Sequence, residues 1–440
     1  MDIQSYEAGK KSIGAYHPDR QLLSCLPSFT DYLWLHSGTQ NGPGPHQHGS
    51  LAGIGVLSEI TISTPEELHK LDDFLKQYKG YWVFGHLSYE SRILLETKLQ
   101  SSAAHSSDRF NPISFFVPQF VLQKSAQSIE VLDQKSGELM NWSEWTSTFL
   151  QPETSTLNPA VFQETYHISL EEYTRQINNI IQHLKRGDIY EMNYCLPFSA
   201  EGVLYNPPEV WYQLQQEQQS PFAALYKRRD QWLLCTSPER WLTKQDDRLI
   251  SQPIKGTARR DQHPEADQLI KEQLFSSEKE KAENVMIVDL VRNDLGRIAC
   301  TGTVQVDELF GIYSFPSVHQ MISTVSGKIP EKTPFTEILK SAFPMGSMTG
   351  APKISAMQII TETETFSRGL YSGSVGYIDP AGNFDFNVVI RSILYNETTQ
   401  KAVFPAGSAI TVQCDPESEY KECLLKSNSM RKALGLPLQS

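Results

Sequence analysis

Strand-like runs recur along this chain without a helix between each successive pair, and that missing rhythm constrains the fold more than any other feature. Parallel strands need a crossover of a dozen or more residues, usually helical, whereas antiparallel strands join through short turns. The runs Tyr81 to Leu87, Phe115 to Leu122, Trp232 to Thr236 and Leu249 to Ile254 are apolar or aromatic, as half-buried strands should be. Helices are interspersed among them without a βαβ order. The expected class is α+β, with antiparallel sheets flanked by helices.

Three helices are marked by their ends. Ser169 and Glu172 form a capping box, Tyr173, Ile177, Ile180 and Leu184 repeat at helical spacing, and Gly187 follows the last turn. A second helix starts near Ser277. A third is framed by Asp415 as N-cap, Pro416 at the first helical position and Gly435 past its end. The 440 residues also contain a composition break, Gln151-Pro152-Glu153-Thr154-Ser155-Thr156-Leu157-Asn158-Pro159, which reads as a linker. It separates a β-rich region, 1–160, from a larger region, 161–440.

Charge removes one class of partner. Asp and Glu number 51 against 39 Lys and Arg, a net charge of −12, so the surface repels phosphate backbones and no nucleic acid is expected as partner. No apolar run approaches the ~18–20 residues that span a bilayer, and the first residues lack a signal-peptide core. The chain reads as cytoplasmic, with no membrane partner. Six scattered cysteines without a CxxC pair suit reduced thiols. His46 and His48 lie in a Gly/Pro-rich loop without carboxylate or cysteine company, where exposed histidines are commoner than a metal site.

Four glutamates form two i, i+3 pairs, Glu280 with Glu283 and Glu419 with Glu422, each on one helix face. Facing each other, such pairs would make a hard-oxygen site suited to Mg²⁺ and an anionic ligand. Taken alone they also fit helix-start preferences, since Glu280 completes a capping box with Ser277. Two Gly-rich segments, Gly346 to Lys353 and Ala406 to Ile410, are candidates for anion binding by backbone N–H groups, or ordinary turns. Neither is a P-loop or dinucleotide fingerprint. Lys255 follows a strand and precedes a glycine, and Glu239 and His319 sit among apolar or strand-flanking residues where a shifted pKa is plausible.

Read together, these segments resemble the chorismate-utilising enzymes, which include anthranilate, isochorismate, salicylate and aminodeoxychorismate synthases. The matching stretches, from about 165 to 435, are Gly187 to Tyr190, Ser237 to Arg240, Pro253 to Thr257, Glu283 to Arg297 (ENVMIVDLVRNDLGR), Gly346 to Lys353 (GSMTGAPK), Gly373 to Tyr377, Val389 to Ser392 and Glu419 to Glu422. The resemblance implies an anthranilate synthase component I-like fold, with sheets packed as a sandwich, and 161–440 as the chorismate-binding part. It implies that Glu283 and Glu422 hold Mg²⁺, with Glu280 and Glu419 beside them. Gly256, Thr257, Thr349, Tyr377, Arg391, Gly407, Ser408, Ala409 and Lys426 would bind substrate, and Glu239 and His319 would serve as acid and base. Where the family has AG(A/G)G, this chain has Ala406-Gly407-Ser408-Ala409, and Ala409 lacks glycine's conformational freedom.

Lys255 sorts among the family's reactions. Most relatives have alanine between Pro-Ile and Gly-Thr, whereas aminodeoxychorismate synthases have a lysine thought to attack C2 of chorismate before ammonia enters at C4. Glu191 stands where isochorismate synthases place a water-activating lysine. The implied activity is formation of 4-amino-4-deoxychorismate, with ammonia supplied by a separate glutamine amidotransferase subunit. The alternatives are the anthranilate synthase large subunit and a non-catalytic chorismate- or amino-acid-binding regulator. The resemblance leaves open whether the 1–160 region binds tryptophan.

Overall fold

The computed structural model describes residues 18–37, 49–99, 110–124, 129–132, 139–140 and 161–439. The linker at 151–159 and the pair His46 and His48 lie outside them. Among the described residues the strands form an eleven-stranded, a ten-stranded and a three-stranded sheet, and every strand pairing is antiparallel.

The marked helices form where their ends place them. Ser169 accepts the Glu172 N–H and Gly187 closes the helix Leu170–Arg186 at φ 80°. Tyr173, Ile177, Ile180 and Leu184 are its buried face. Ser277 caps Glu278–Gly296, and Asp415 caps Pro416–Ala433. A further helix, Pro264–Ser276, runs up to the Ser277 cap; its weak amphipathic pattern gives no periodic signal. The run Phe115 to Leu122 is two strands, Ile113–Val117 and Phe120–Lys124, because Pro118 has no N–H for a ladder.

Both large sheets take strands from either side of residue 160. Asp31–His36 pairs with Phe222–Arg228, Leu33 opposite Tyr226. Val83–Leu87 pairs with Ser374–Ile378, Gly85 opposite Gly376. At Gly85 and Gly376 a Cβ would lie 2.4 and 2.3 Å from a neighbouring backbone oxygen, so these strands approach as only glycine permits. The boundary at 160 is one of sequence; the cores run across it, joining Trp34 and Tyr89 to Trp211 and Ile393.

Two adjacent crossings between the large sheets position the site. The strand Gln231–Ser237 belongs to the eleven-stranded sheet and Arg240–Gln245 to the ten-stranded one, so Pro238 and Glu239 form the corner. Beside it the chain returns from Phe384–Asn387 to Ser392–Asn396, and Arg391 sits at that corner. Thr236 ties the two together, its N–H and hydroxyl both donating to the Arg391 carbonyl at 3.1 and 3.0 Å.

Candidate active site

The corners open into a cleft of about 350 Å³ lined by strands of the ten-stranded and three-stranded sheets, by the corner residues themselves and by the two glutamate-bearing helices, a size that suits a small molecule. Lys255 enters it through a bulge. Ile254 pairs with Ile322 and Thr257 with Gln320, so Lys255 and Gly256 together oppose one residue. Gly256 takes φ +93°, and a Cβ there would lie 3.1 Å from Glu280 Oε2. Such a bulge re-aims the preceding side chain, and the Lys255 Nζ donates to Glu191 Oε1 at 2.6 Å.

Electrostatics separate the acidic groups. Burial pushes the Glu239 carboxyl up to about 7, against the pull of Lys255, so near neutrality half of it is a proton donor. Burial alone would lower the Lys255 ammonium, but Glu191, Glu283 and Glu239 outweigh it and hold its pKa above the usual lysine value. Glu283 is raised by burial and by Glu191 and Glu280, despite Lys255. Glu419 is raised by burial and by Glu422. Glu422 is lowered, because Lys426 at 2.5 Å outweighs its burial.

Glu280, Glu283, Glu419 and Glu422 thus bring four carboxylates from two helices to one cleft. Among the described residues no three acidic, His or Cys side chains converge closely enough to enclose an ion. That donor set fits Mg²⁺, which keeps most of its waters and takes one or two carboxylates plus substrate oxygens. The raised pKa values of Glu283 and Glu419 mark negative charge that a cation would relieve.

Arg391 lines the same cleft at φ +51°, a strained conformation for a side chain of its size. Its guanidinium makes no hydrogen bond among the described residues, which leaves it open to an anionic ligand. Thr257, Gly407, Ser408, Ala409 and Lys426 also line the cleft. The segment Ala406–Ile410, read above as an anion-binding segment or a turn, is an edge strand whose partner is Glu191–Leu196. No described strand pairs with its other side, and the Gly407 carbonyl accepts from Lys426 Nζ at 2.9 Å. Ala409 has no positive φ, so it needs none of glycine's freedom.

Three expected residues lie elsewhere. Tyr377 is buried against Trp82 and Phe84, at ring distances of 5.7 and 6.2 Å, and Tyr371, six residues earlier, lines the cleft instead. Thr349 is buried with its hydroxyl donating to the Met345 and Gly346 carbonyls, while Ser347 and Met348 line the cleft. His319 is outside the lining, bonded at 2.9 Å to Ser314 Oγ and to Asp267 Oδ1; Gln320, the next residue on the strand, lines it. Alternation along a strand decides the last case, since adjacent side chains point to opposite faces. Asn193 and Lys279 also line the cleft, without a motif to announce them.

Comparison with known proteins agrees with this geometry. The chain is 37% identical over 270 residues to aminodeoxychorismate synthase component 1 of Escherichia coli strain K12, covering 61% of this chain and 58% of that protein. It is 39% identical over 271 residues to the chloroplastic aminodeoxychorismate synthase of Arabidopsis thaliana, covering 60% and 29%. The curated relatives are longer, and the chain spans between 29% and 60% of their length. Among solved structures, anthranilate synthase component I from Streptococcus pneumoniae TIGR4 superposes with a TM-score of 0.73 at 25% identity, covering 90% of this chain and 95% of that one. The fold is therefore anthranilate synthase component I-like. The family model described as chorismate binding enzyme matches residues 31–432, across the boundary at 160 and through all three sheets, and this chain belongs to that family.

Proposed function

We propose that the chain converts chorismate and ammonia to 4-amino-4-deoxychorismate, with ammonia delivered by a glutamine amidotransferase subunit. The observation that carries the reading is the bulge that turns Lys255 into the cleft between Glu191 and Glu239. The names of the relatives at 37–39% identity support it.

Chorismate carries two carboxylates and one hydroxyl. In this reading Arg391 takes one carboxylate bidentately, and Glu283 and Glu422, with Glu280 and Glu419 beside them, hold Mg²⁺. The ion supplies fixed positive charge for the other carboxylate. Tyr371 takes the place given above to Tyr377.

Lys255 must be neutral to attack carbon, and its Nζ is hydrogen-bonded to the carboxylate that can receive its proton, Glu191. The amine bonds to C2, both conjugated ring double bonds shift by one position, and the C4–O bond breaks as Glu239 donates its proton, releasing water. Ammonia then bonds to C4, both double bonds shift back, and the C2–N bond breaks to free Lys255. The new ammonium returns one proton to Glu239, and Glu191 returns the other to Lys255. The test is incubation with chorismate, Mg²⁺ and ammonium, followed by product identification. Aminodeoxychorismate is expected; anthranilate would move the chain to the other branch, and absence of turnover would favour a binding role.

A further inference from the structure

Part of the cleft wall carries no acidic side chain. Asn193, Met348 and Tyr371 line it, and they come from a strand, a short 3₁₀ turn and a loop that are distant in sequence. What joins them lies behind the surface. The Arg368 side chain is 1% exposed, and all five of its N–H groups are used. Nη1 donates to the Met348 carbonyl at 2.7 Å and to Ser372 Oγ at 3.2 Å, and Nη2 to the Asn193 carbonyl at 3.0 Å. Nε and Nη2 grip Glu364 at 2.8 and 2.6 Å.

We propose that Arg368 is the positioning residue of this wall, setting how Asn193, Met348 and Tyr371 present themselves to chorismate; the proposal rests on the chorismate reading above. Two of its acceptors are carbonyls of lining residues. The third, Ser372, adjoins Tyr371 and is held at φ +62°, a conformation serine rarely adopts unaided. Glu364 also accepts the Cys195 N–H at 2.9 Å, so the strand bearing Asn193 is tied twice. A buried guanidinium is tolerated only with its partners complete, so this network forms as a unit or not at all.

The 1–160 region clamps the same loop. The Tyr89 ring lies 4.3 Å from the Arg368 guanidinium, and its N–H donates to the Gly369 carbonyl at 2.8 Å. Glu90 Oε1 accepts from Ser367 Oγ at 2.5 Å and from the Gly369 N–H at 3.2 Å. Residues remote in sequence from every matched motif thereby act on the substrate-facing surface.

Lysine keeps the charge but not the fork, so Arg368→Lys is the test, read through thermal midpoint and through KM and kcat for chorismate consumption. Arg431→Lys is the control: Arg431 is as buried and pairs with Glu164 and the Pro437 carbonyl, none of which lines the cleft. Arg368→Lys should raise KM at least tenfold and lower kcat less than threefold, while Arg431→Lys lowers the thermal midpoint with KM unchanged. Glu90→Ala should raise KM about threefold, and Glu90→Gln, which keeps the accepting Oε1, should restore it. A fall in thermal midpoint with KM within twofold of wild type in Arg368→Lys would overturn the proposal. If that variant does not fold, equal KM in Glu90→Ala and wild type overturns it. A wild-type product other than aminodeoxychorismate would defeat the proposed function and leave the KM ratios to judge Arg368; no chorismate consumption at all would defeat both.

Discussion

Along the helices Glu278–Gly296 and Pro416–Ala433 the cleft is built of carboxylates, of which Glu283 and Glu419 are raised by burial and by acidic neighbours, with lysines close by. Around Arg368 it is built of backbone, pinned by one guanidinium whose every donor is occupied. The first wall holds unrelieved charge and gains from a cation or ligand that completes it. The second is completed by the protein's own groups and gains nothing electrostatically from a ligand. On the proposed reading, a site that binds an ion and keeps its shape without that ion divides the two duties between separate walls. Substitutions in the first should therefore alter activity more than stability, and those in the second should cost stability as well.

The largest effect is expected at the seam, where Lys255 meets both. Lys255→Ala should lower aminodeoxychorismate formation ~1,000-fold or more, about 4 kcal/mol in the barrier, while chorismate still binds. With chorismate and Mg²⁺ but no ammonia, intact-protein mass spectrometry should find an adduct on Lys255 in wild type and none in the variant. An adduct elsewhere would return the chemistry to direct attack by ammonia. Next, Arg368→Ala leaves Glu364 buried and unpaired and should destabilise by roughly 3–5 kcal/mol, seen as a lowered midpoint in denaturant. A stable Arg368→Ala protein would erase the distinction between the walls.

Glu283→Gln sharpens it from the other side. Turnover should fall ~100-fold, and the Mg²⁺ concentration for half-maximal rate should rise. The thermal midpoint should hold or increase, since the carboxylate removed is one that its surroundings disfavour. Full activity of wild type in excess chelator would remove the ion from the account.

Smaller still is the pH effect at Glu239. In the proposed mechanism its neutral form is the proton donor, so kcat should be flat below about 7 and fall about tenfold per unit above it, a slope absent in Glu239→Gln. The same displacement acts on stability. Unfolded, the carboxyl ionises near 4.5; folded, it keeps its proton to about 7. Its contribution is full below 4.5 and declines as pH rises to 7, by on the order of 3 kcal/mol. Urea titrations of wild type and Glu239→Gln at pH 5 and 8 measure it.

Much of this molecule was legible from its residues, and the rest was hidden for definite reasons. Helix ends are local: a capping serine or aspartate and a closing glycine lie within a few residues of the bonds they make, so Leu170–Arg186 and Pro416–Ala433 were found where expected. Motifs located the segments of the site but not which side chain faces inward. His319 faces away from the cleft while Gln320 lines it, an alternation settled by sheet register, and Tyr377 packs among Trp82 and Phe84 while Tyr371, in the turn before its strand, lines the cleft. Arg368 and Glu90 gave no signal at all, since a residue that acts from behind a wall shows its partners only once the chain has folded.

The smallest effect is expected at Ala409, where the sequence departs from its relatives' glycine. Were the site to need glycine there, Ala409→Gly would tighten chorismate binding. The residue lies instead in the extended strand Ala406–Ile410, paired with Asn193 and free of positive φ. An alanine in such a strand is unstrained, and glycine would only add freedom to the unfolded chain. Ala409→Gly should therefore leave KM for chorismate within twofold and cost about 0.5–1 kcal/mol of stability. A several-fold drop in KM would show that the Cβ crowds the ligand, and that this edge strand belongs with the walls a ligand completes.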